Sequence, residues 1–327
     1  MTVSMRIHSD TWPMREPFLI ARGLIKELDT LVVELEDERG RRGRGEAMGL
    51  SYDGETVATI RAQLLAVADA LPPTEGFDLS SLLPPGGARN ALDCAYWDLH
   101  AKQTGVPAWR SAGLERVAPV QTALTLGIGD AEDFRRRVRN ASTMPILKIK
   151  CNRERHVDLV RIAREERPHA RLIVDANQAW DRALLDELVG ALADLRVELI
   201  EQPVPRGTDA QLKGYAGPIP LAADESCSDR ASLKRLVGLY RFVSIKLDKC
   251  GGLTEGLAVA NEASRLGFGL MVGNMGGTSL SMAPHFLIAQ RCRYVDLDAP
   301  LIIRGDRDAA MVYEGSMLQP PSPELWG

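Results

Sequence analysis

The sequence contains no apolar run of about 18 residues, so no segment reads as spanning a membrane. Its opening stretch, MTVSMRIHSD, lacks the apolar core of a secretion signal. The five cysteines (Cys94, Cys151, Cys227, Cys250 and Cys292) are scattered, odd in number and without a CxxC pair. That pattern argues against a structural zinc and fits reduced thiols, so a cytoplasmic location is expected. There is no basic field either: 40 Lys and Arg against 44 Asp and Glu leave a net charge of −4, and no nucleic-acid partner is expected. The densest basic run, RRGRG (Arg41, Arg42, Arg44), reads as a solvated hairpin turn.

What is present is the composition of a soluble protein with a large core, 45% hydrophobic and 26% charged. A length of 327 residues suggests two domains, although a single (β/α)₈ barrel takes about 250. Residues 3–9 and 30–36 read as strands, and GRRGRGEA completes an antiparallel sheet. Helical spacing follows from Thr56 to Ala70 and again in ARNALDCAYWDLHAKQTG, which Gly105 and Pro107 end. Strands first and helices after make this an α+β segment. From Pro119 the texture changes to strand–helix alternation. The strand-like runs are PVQTALTL, PILKIK, RLIVDA, VELIEQ, IPLAAD, FVSIKL, GLMVG and YVDL, the eight that a closed barrel needs. The tail after Pro300 reads as returning to the N-terminal segment.

Successive runs end in ionisable residues. Lys148 and Lys150 close PILKIK, Asp175 closes RLIVD, Glu201 closes VELIE, Asp224 follows IPLAA, and Lys246 sits in FVSIKLDKCGG. From Lys150 the steps are 25, 26, 23 and 22 residues, each the size of one strand–helix unit. A barrel gathers its strand ends at one mouth, so these side chains would meet. One such acid alone would read as a surface cap. Three from consecutive strands suit a hard divalent cation such as Mg²⁺, which takes oxygen ligands.

The K-x-K spacing puts Lys148 and Lys150 on one strand face, about 7 Å apart. A neighbouring cation draws a lysine pKa toward neutrality, so Lys150 reads as a general base and Lys148 as its tuning neighbour. Lys246, four strands on, would reach in from the opposite side. Two lysines astride one carbon would remove a proton from one face and return it to the other, which is racemisation or epimerisation. Lys249 reads as a structural ion pair. Schiff-base chemistry at one lysine is an alternative that needs no three-carboxylate site.

The motifs LKIK, VDAN, IEQP, ADES, IKLDKCGGLTE and YVDLDAP together resemble the enolase superfamily, muconate-lactonising subgroup. Within it they are most similar to dipeptide epimerases of the L-Ala-D/L-Glu type. The resemblance extends over nearly the whole chain, with PFLIARG, GRGEA and ALDCAYWDLHAKQTG matching the family's cap. It implies a modified TIM (β/α)₈ barrel over residues 116–300 and an α+β capping domain over residues 1–115, completed by residues 301–327. It also implies one Mg²⁺ per subunit, with Mn²⁺ as a substitute, a dipeptide substrate and a homo-oligomeric assembly. The DLD pair, Asp296 and Asp298, would bind the dipeptide's α-ammonium from one strand face, and Thr125 is a further substrate-binding candidate.

The chain also departs from the family's pattern. MVGNMGGTS carries Asn274 and Gly277 where many relatives have GCM followed by an acid. Leu24, Ile25 and Lys26 stand near where the family often presents an arginine to a glutamyl side chain, leaving Arg22 or Lys26 as stand-ins. A dipeptide with an apolar second residue is thus a competing substrate. The cap segments 15–26 and 48–55 are expected to shape the pocket. Other functions compatible with the same residues are o-succinylbenzoate synthase, muconate cycloisomerase, N-acylamino acid racemase, or a non-catalytic metal-binding scaffold. Acid-sugar dehydration is disfavoured, because GLMVGN offers no histidine at the seventh strand and His285 lies far along. Trp12 and Trp180 read as ordinary packing.

Overall fold

The structure is a computed structural model that describes residues 3–327. The N-terminal sheet runs β1 (Val3–Ile20), β2 (Gly23–Asp37) and β3 (Arg42–Ala47), antiparallel in that order. Strand alternation turns Leu31, Val33 and Leu35 of β2 to one face, where they are fully buried against the helix α2 (Gly87–Thr104). The shorter helix α1 (Val57–Ala66) adds Ile60 and Leu64 to that core, its start closed by a capping box between Thr56 and Thr59. Helix α2 ends where Gly105 takes a left-handed φ of 70° and returns its N–H to Ala101.

Two expectations for this segment are corrected. The first strand does not stop near residue 9. It continues to Ile20 through an irregularity between Pro13 and Phe18, and its tip hangs over the barrel. RRGRG is not a solvated turn, since residues 38–41 make the turn and Arg42 begins β3. Its glycines instead let the strand lie on α2. A Cβ at Gly45 would stand 2.1 Å from Ala91 O, and one at Gly43 would stand 2.3 Å from Ala95 O.

The second unit is an eight-stranded parallel sheet. A two-residue strand β4 (Val120–Gln121) precedes it, followed by β5 (Leu124–Leu126), β6 (Ile146–Lys150), β7 (Arg171–Asp175), β8 (Val197–Glu201) and β9 (Leu221–Ala223). It continues through β10 (Phe242–Ile245), β11 (Gly269–Val272) and β12 (Tyr294–Val295). Strands β5 to β12 are neighbours in sequence order, and Ala123 N–H donates to Val295 O at 2.8 Å, joining the two ends of the sheet. Helices lie between successive strands, as the alternation requires. The run PVQTALTL is therefore not one strand. Its first part, β4, pairs with β14 (Met317–Leu318), which pairs with β13 (Tyr313–Glu314) in a small sheet of the tail.

The tail then reaches the N-terminal unit. Trp326 Nε1 donates to Cys94 O at 3.0 Å, Gly327 N–H to Asp98 at 2.7 Å, and Arg44 Nη2 to Leu325 O at 2.8 Å. Arg307 pairs with Glu46 and Asp10, both at 2.6 Å. Trp12 and Trp180 hydrogen-bond to Thr30 and to Asn152 O, and neither lines the cavity described next. Among the described residues no helix is long and apolar enough to cross a membrane.

Candidate active site

The barrel interior is built in layers of period two. One layer is a buried apolar ring with one residue from each strand position, including Ile146, Ile173, Leu199, Ala222, Phe242 and Tyr294. Two residues further along a strand, the side chain faces inward again. From those six positions the step lands on Lys148, Asp175, Glu201, Asp224, Ser244 and Asp296. A second step from three of them reaches Lys150, Lys246 and Asp298. The strand register alone thus brings most of the sequence-named residues to one mouth. All of these side chains are buried except that of Lys150, which keeps slight exposure.

The charges interlock. Lys148 Nζ lies 2.7 Å from Glu201, 2.8 Å from Asp296 and 3.0 Å from Asp175. Lys150 Nζ lies 2.7 Å from the same Asp175 oxygen, so the two ammonium groups are neighbours. Four strands away, Lys246 and Lys249 each stand 2.7 Å from Asp224, one on either oxygen. Lys249 is thus an ion-paired residue, and it also donates to Ser244 O. Burial works to raise Asp175, but Lys150 and Lys148 overcome it and hold the carboxyl well below its ordinary range. Asp224 is likewise held low by Lys246 and Lys249 against its burial. Glu201 goes the other way, since burial, only partly opposed by Lys148, pushes it up to about 7. Burial works against the charge of Lys148 and Lys246, yet the facing carboxylates raise both.

The donor set fits a hard cation. Asp175, Glu201 and Asp224 present only oxygen, all buried. Both Glu201 oxygens lack a hydrogen-bond donor, because the Lys148 contact at 2.7 Å is an ion pair outside hydrogen-bond geometry. Lys148 is one positive partner for this buried carboxylate, and with no hydrogen-bond donor on either oxygen it has capacity for a second. Among the described residues no group of three such ligands is drawn together around one point, and the Lys148 ammonium lies between Asp175 and Glu201.

Asp296 and Asp298 face the same cavity together with Thr125. Thr125 Oγ1 donates to Asp296 at 3.1 Å and Thr125 N–H donates to Asp298 at 2.5 Å. The pair does not lie on a strand as expected. Strand β12 ends at Val295, and Asp298 begins the short helix Ala299–Ile302, although the spacing of two still aims both acids inward. Burial, with Asp296 adding to it, pushes Asp298 up to about 7. Asn274 donates to Asp296 O at 2.7 Å, and Gly277 takes a φ of 121° beside Glu46. Asn274 also lines the cavity, and a Cβ at Gly277 would stand 2.9 Å from the Glu46 carboxylate.

The tip of the β1–β2 hairpin and nearby cap residues roof the cavity with Met14, Phe18, Ile20, Ile25 and Leu28. Among the described residues Arg22 is the one cap cation in the lining. It pairs with Glu225 at 2.7 Å and lies over the Tyr52 ring at 5.2 Å. Lys26 does not join the site; it is exposed on β2, outside the lining. Segment 48–55 does not line the cavity either, and the Tyr52 ring backs Arg22 and, at 5.7 Å, Arg206. Sequence reasoning did not single out the apolar roof, Ile302 or Asn177. Asn177 carried a signal, an Asn two residues past a strand-end acid, and it takes a φ of 43°.

An α+β cap over an eight-stranded parallel barrel, with carboxylates and lysines interleaved at the mouth, defines a class of capped acid–base barrels. Residues 130–322 match the profile described as enolase C-terminal domain-like, and residues 2–113 match the mandelate racemase / muconate lactonizing enzyme N-terminal domain. The chain belongs to the mandelate racemase / muconate lactonizing branch of the enolase superfamily. It is 38% identical to the L-Ala-D/L-Glu epimerase of Escherichia coli over 318 residues, covering 95% of this chain and 97% of that one. It is 40% identical to an N-acetyl-D-glutamate racemase of a Pseudoalteromonas species over 288 residues, 87% of this chain and 91% of that one. A crystal structure of an enolase family member from Agrobacterium tumefaciens, holding sodium and L-Ala-L-Glu, superposes with a TM-score of 0.96. That protein is 37% identical over the whole of both chains, and it is described as having homology to dipeptide epimerases.

Proposed function

We propose that this protein is a Mg²⁺-dependent dipeptide epimerase, an isomerase that inverts the α-carbon of the dipeptide's C-terminal residue. The observation that carries the reading is the placement of Lys150 and Lys246 four strands apart, each on a different carboxylate of the same mouth, with Asp296 and Asp298 between the barrel and the cap. Asp175, Glu201 and Asp224 would hold the ion. When bound, it supplies the positive charge that a carboxylate needs while its α-carbon gives up a proton. Lys150 takes the proton from one face, and Lys246 gives one back to the other. Lys148 holds Asp175, Glu201 and Asp296 in place and keeps a second cation beside Lys150. Asp296 and Asp298, fixed by Thr125, receive the α-ammonium of the first residue. The five free cysteines fit a reducing compartment such as the cytoplasm.

The roof supports an apolar side chain on the residue that is inverted. Ile20, Ile25 and Leu28 offer no partner to a glutamyl carboxylate, Arg22 is already neutralised by Glu225, and Lys26 is outside. The similarity to an N-acetyl-D-glutamate racemase supports a second reading, racemisation of N-acylated amino acids, which carry no α-ammonium. Proton NMR of the Mg²⁺-loaded protein in D₂O, against L,L-dipeptides and N-acetyl amino acids, separates the two. The expected result is loss of one α-proton signal and growth of a new diastereomer with dipeptides carrying an apolar second residue. Turnover confined to N-acetyl amino acids would replace the first reading by the second, and no α-proton exchange with either class would remove both.

A further inference from the structure

We infer that His285 is a positioning residue for Lys246, setting the direction from which that lysine reaches the reacting carbon. This rests on the two-lysine reading above. Lys246 is the last extended residue after β10, and the short helix Leu247–Cys250 begins immediately after it. The first N–H groups of a helix have no partner within it, and the Lys246 side chain does not cap this one. The donor is satisfied from another element: Leu247 N–H donates to His285 Nε2 at 3.0 Å, within the interior. Because Nε2 accepts, the ring proton sits on Nδ1, which meets Ser281 O at 2.8 Å. The imidazole is therefore held at both nitrogens in one tautomer. Its burial, which pushes the group down to about 4, agrees with a neutral ring.

The bonded N–H belongs to the peptide that follows the Lys246 Cα. A tilt of that peptide swings the side chain, whose ammonium is four methylenes away. The sleeve around the chain is narrow, since a Cβ at Gly273 would lie 2.9 Å from Lys246 Cε. Lys150 pairs instead with Asp175, on the far side of the mouth. Loss of the imidazole acceptor should thus impair one face of the reaction and spare the other. A residue that merely stabilised the barrel would affect both faces alike.

The test is the rate of α-deuteron uptake from D₂O measured separately for each epimer of one dipeptide substrate, in Mg²⁺-loaded wild type, His285→Leu and His285→Gln. The ratio of the two rates should change by about 10²-fold in His285→Leu, because small misplacements of a reacting group cost about that much. The epimer served by Lys150 should keep its exchange, and that is the internal control for folding. His285→Gln retains an acceptor, less well placed, and should shift the ratio in the same direction by a smaller factor of about threefold or more. An unchanged ratio in whichever variant folds would overturn the inference, even if both rates fell. Wild type that exchanges only one epimer, or neither, would instead sink the two-lysine reading and this inference with it.

Discussion

The floor and the roof of the cavity are built on opposite principles. The floor is barrel: four lysines and five acids, nearly all buried, most of them set by strand register and ion-paired with a neighbour. The roof is cap: Met14, Phe18, Ile20, Ile25 and Leu28, with a single arginine already neutralised. A change in the floor disturbs several ion pairs at once, because Lys148 alone touches three carboxylates. A change in the hairpin tip disturbs only its own contacts. On the proposed reading the difference separates two jobs, with proton transfer set by the barrel and choice of side chain left to the cap.

The largest effect should come from the floor. Lys150→Ala should lower kcat for epimerisation by at least about 10³-fold while the fold survives, because it removes a proton-transfer group. Steady-state polarimetry or NMR with a saturating dipeptide measures it, and a loss below tenfold would take Lys150 out of the chemistry. Next, Asp298→Ala should reduce kcat/KM for a dipeptide by about 10²-fold, the worth of a charge-assisted hydrogen bond. Any turnover of an N-acetyl amino acid should change little, and equal losses on both substrates would mean that Asp298 does not see the ammonium. The smallest effect should come from the roof. Ile25→Arg should shift the preference between an apolar and a glutamyl second residue by about tenfold toward glutamyl, the scale on which pocket changes discriminate. If that ratio of kcat/KM values stays put, the side chain does not lie under the hairpin, and the division between floor and roof fails.

The floor was legible in sequence for a physical reason. Parallel strands buried on both faces are short apolar runs, and the charged residue ending each one stands out against them. Period two then carries Lys148, Asp175 and Glu201 to the mouth with no further information. Asp298 shows the limit of that logic, because its spacing from Asp296 implied one strand while β12 ends before either residue. The roof was far less legible. Whether Ile25 or Lys26 faces the cavity depends on how an irregular β1 crosses the barrel, and no local pattern encodes that crossing. RRGRG misled because its charge hid the glycines that let β3 lie on α2. His285 stands far along the chain from the seventh strand, yet the helix after β11 folds it back against Leu247.

The fastening of the tail has a consequence in time. Arg44 on β3 donates to Leu325 O, a partner 281 residues later. At about 5–20 residues per second, tens of seconds of synthesis separate the two halves of that bond. The cap is thus made before the barrel and fastened after it. The sheet's apolar face can be covered by α2 as soon as residues 87–104 are made, but the Arg44 fastening waits until the barrel strands have been synthesised. The order of synthesis and the order of completion run in opposite directions, and ribosome pausing late in the chain would lengthen the wait without altering a single native contact.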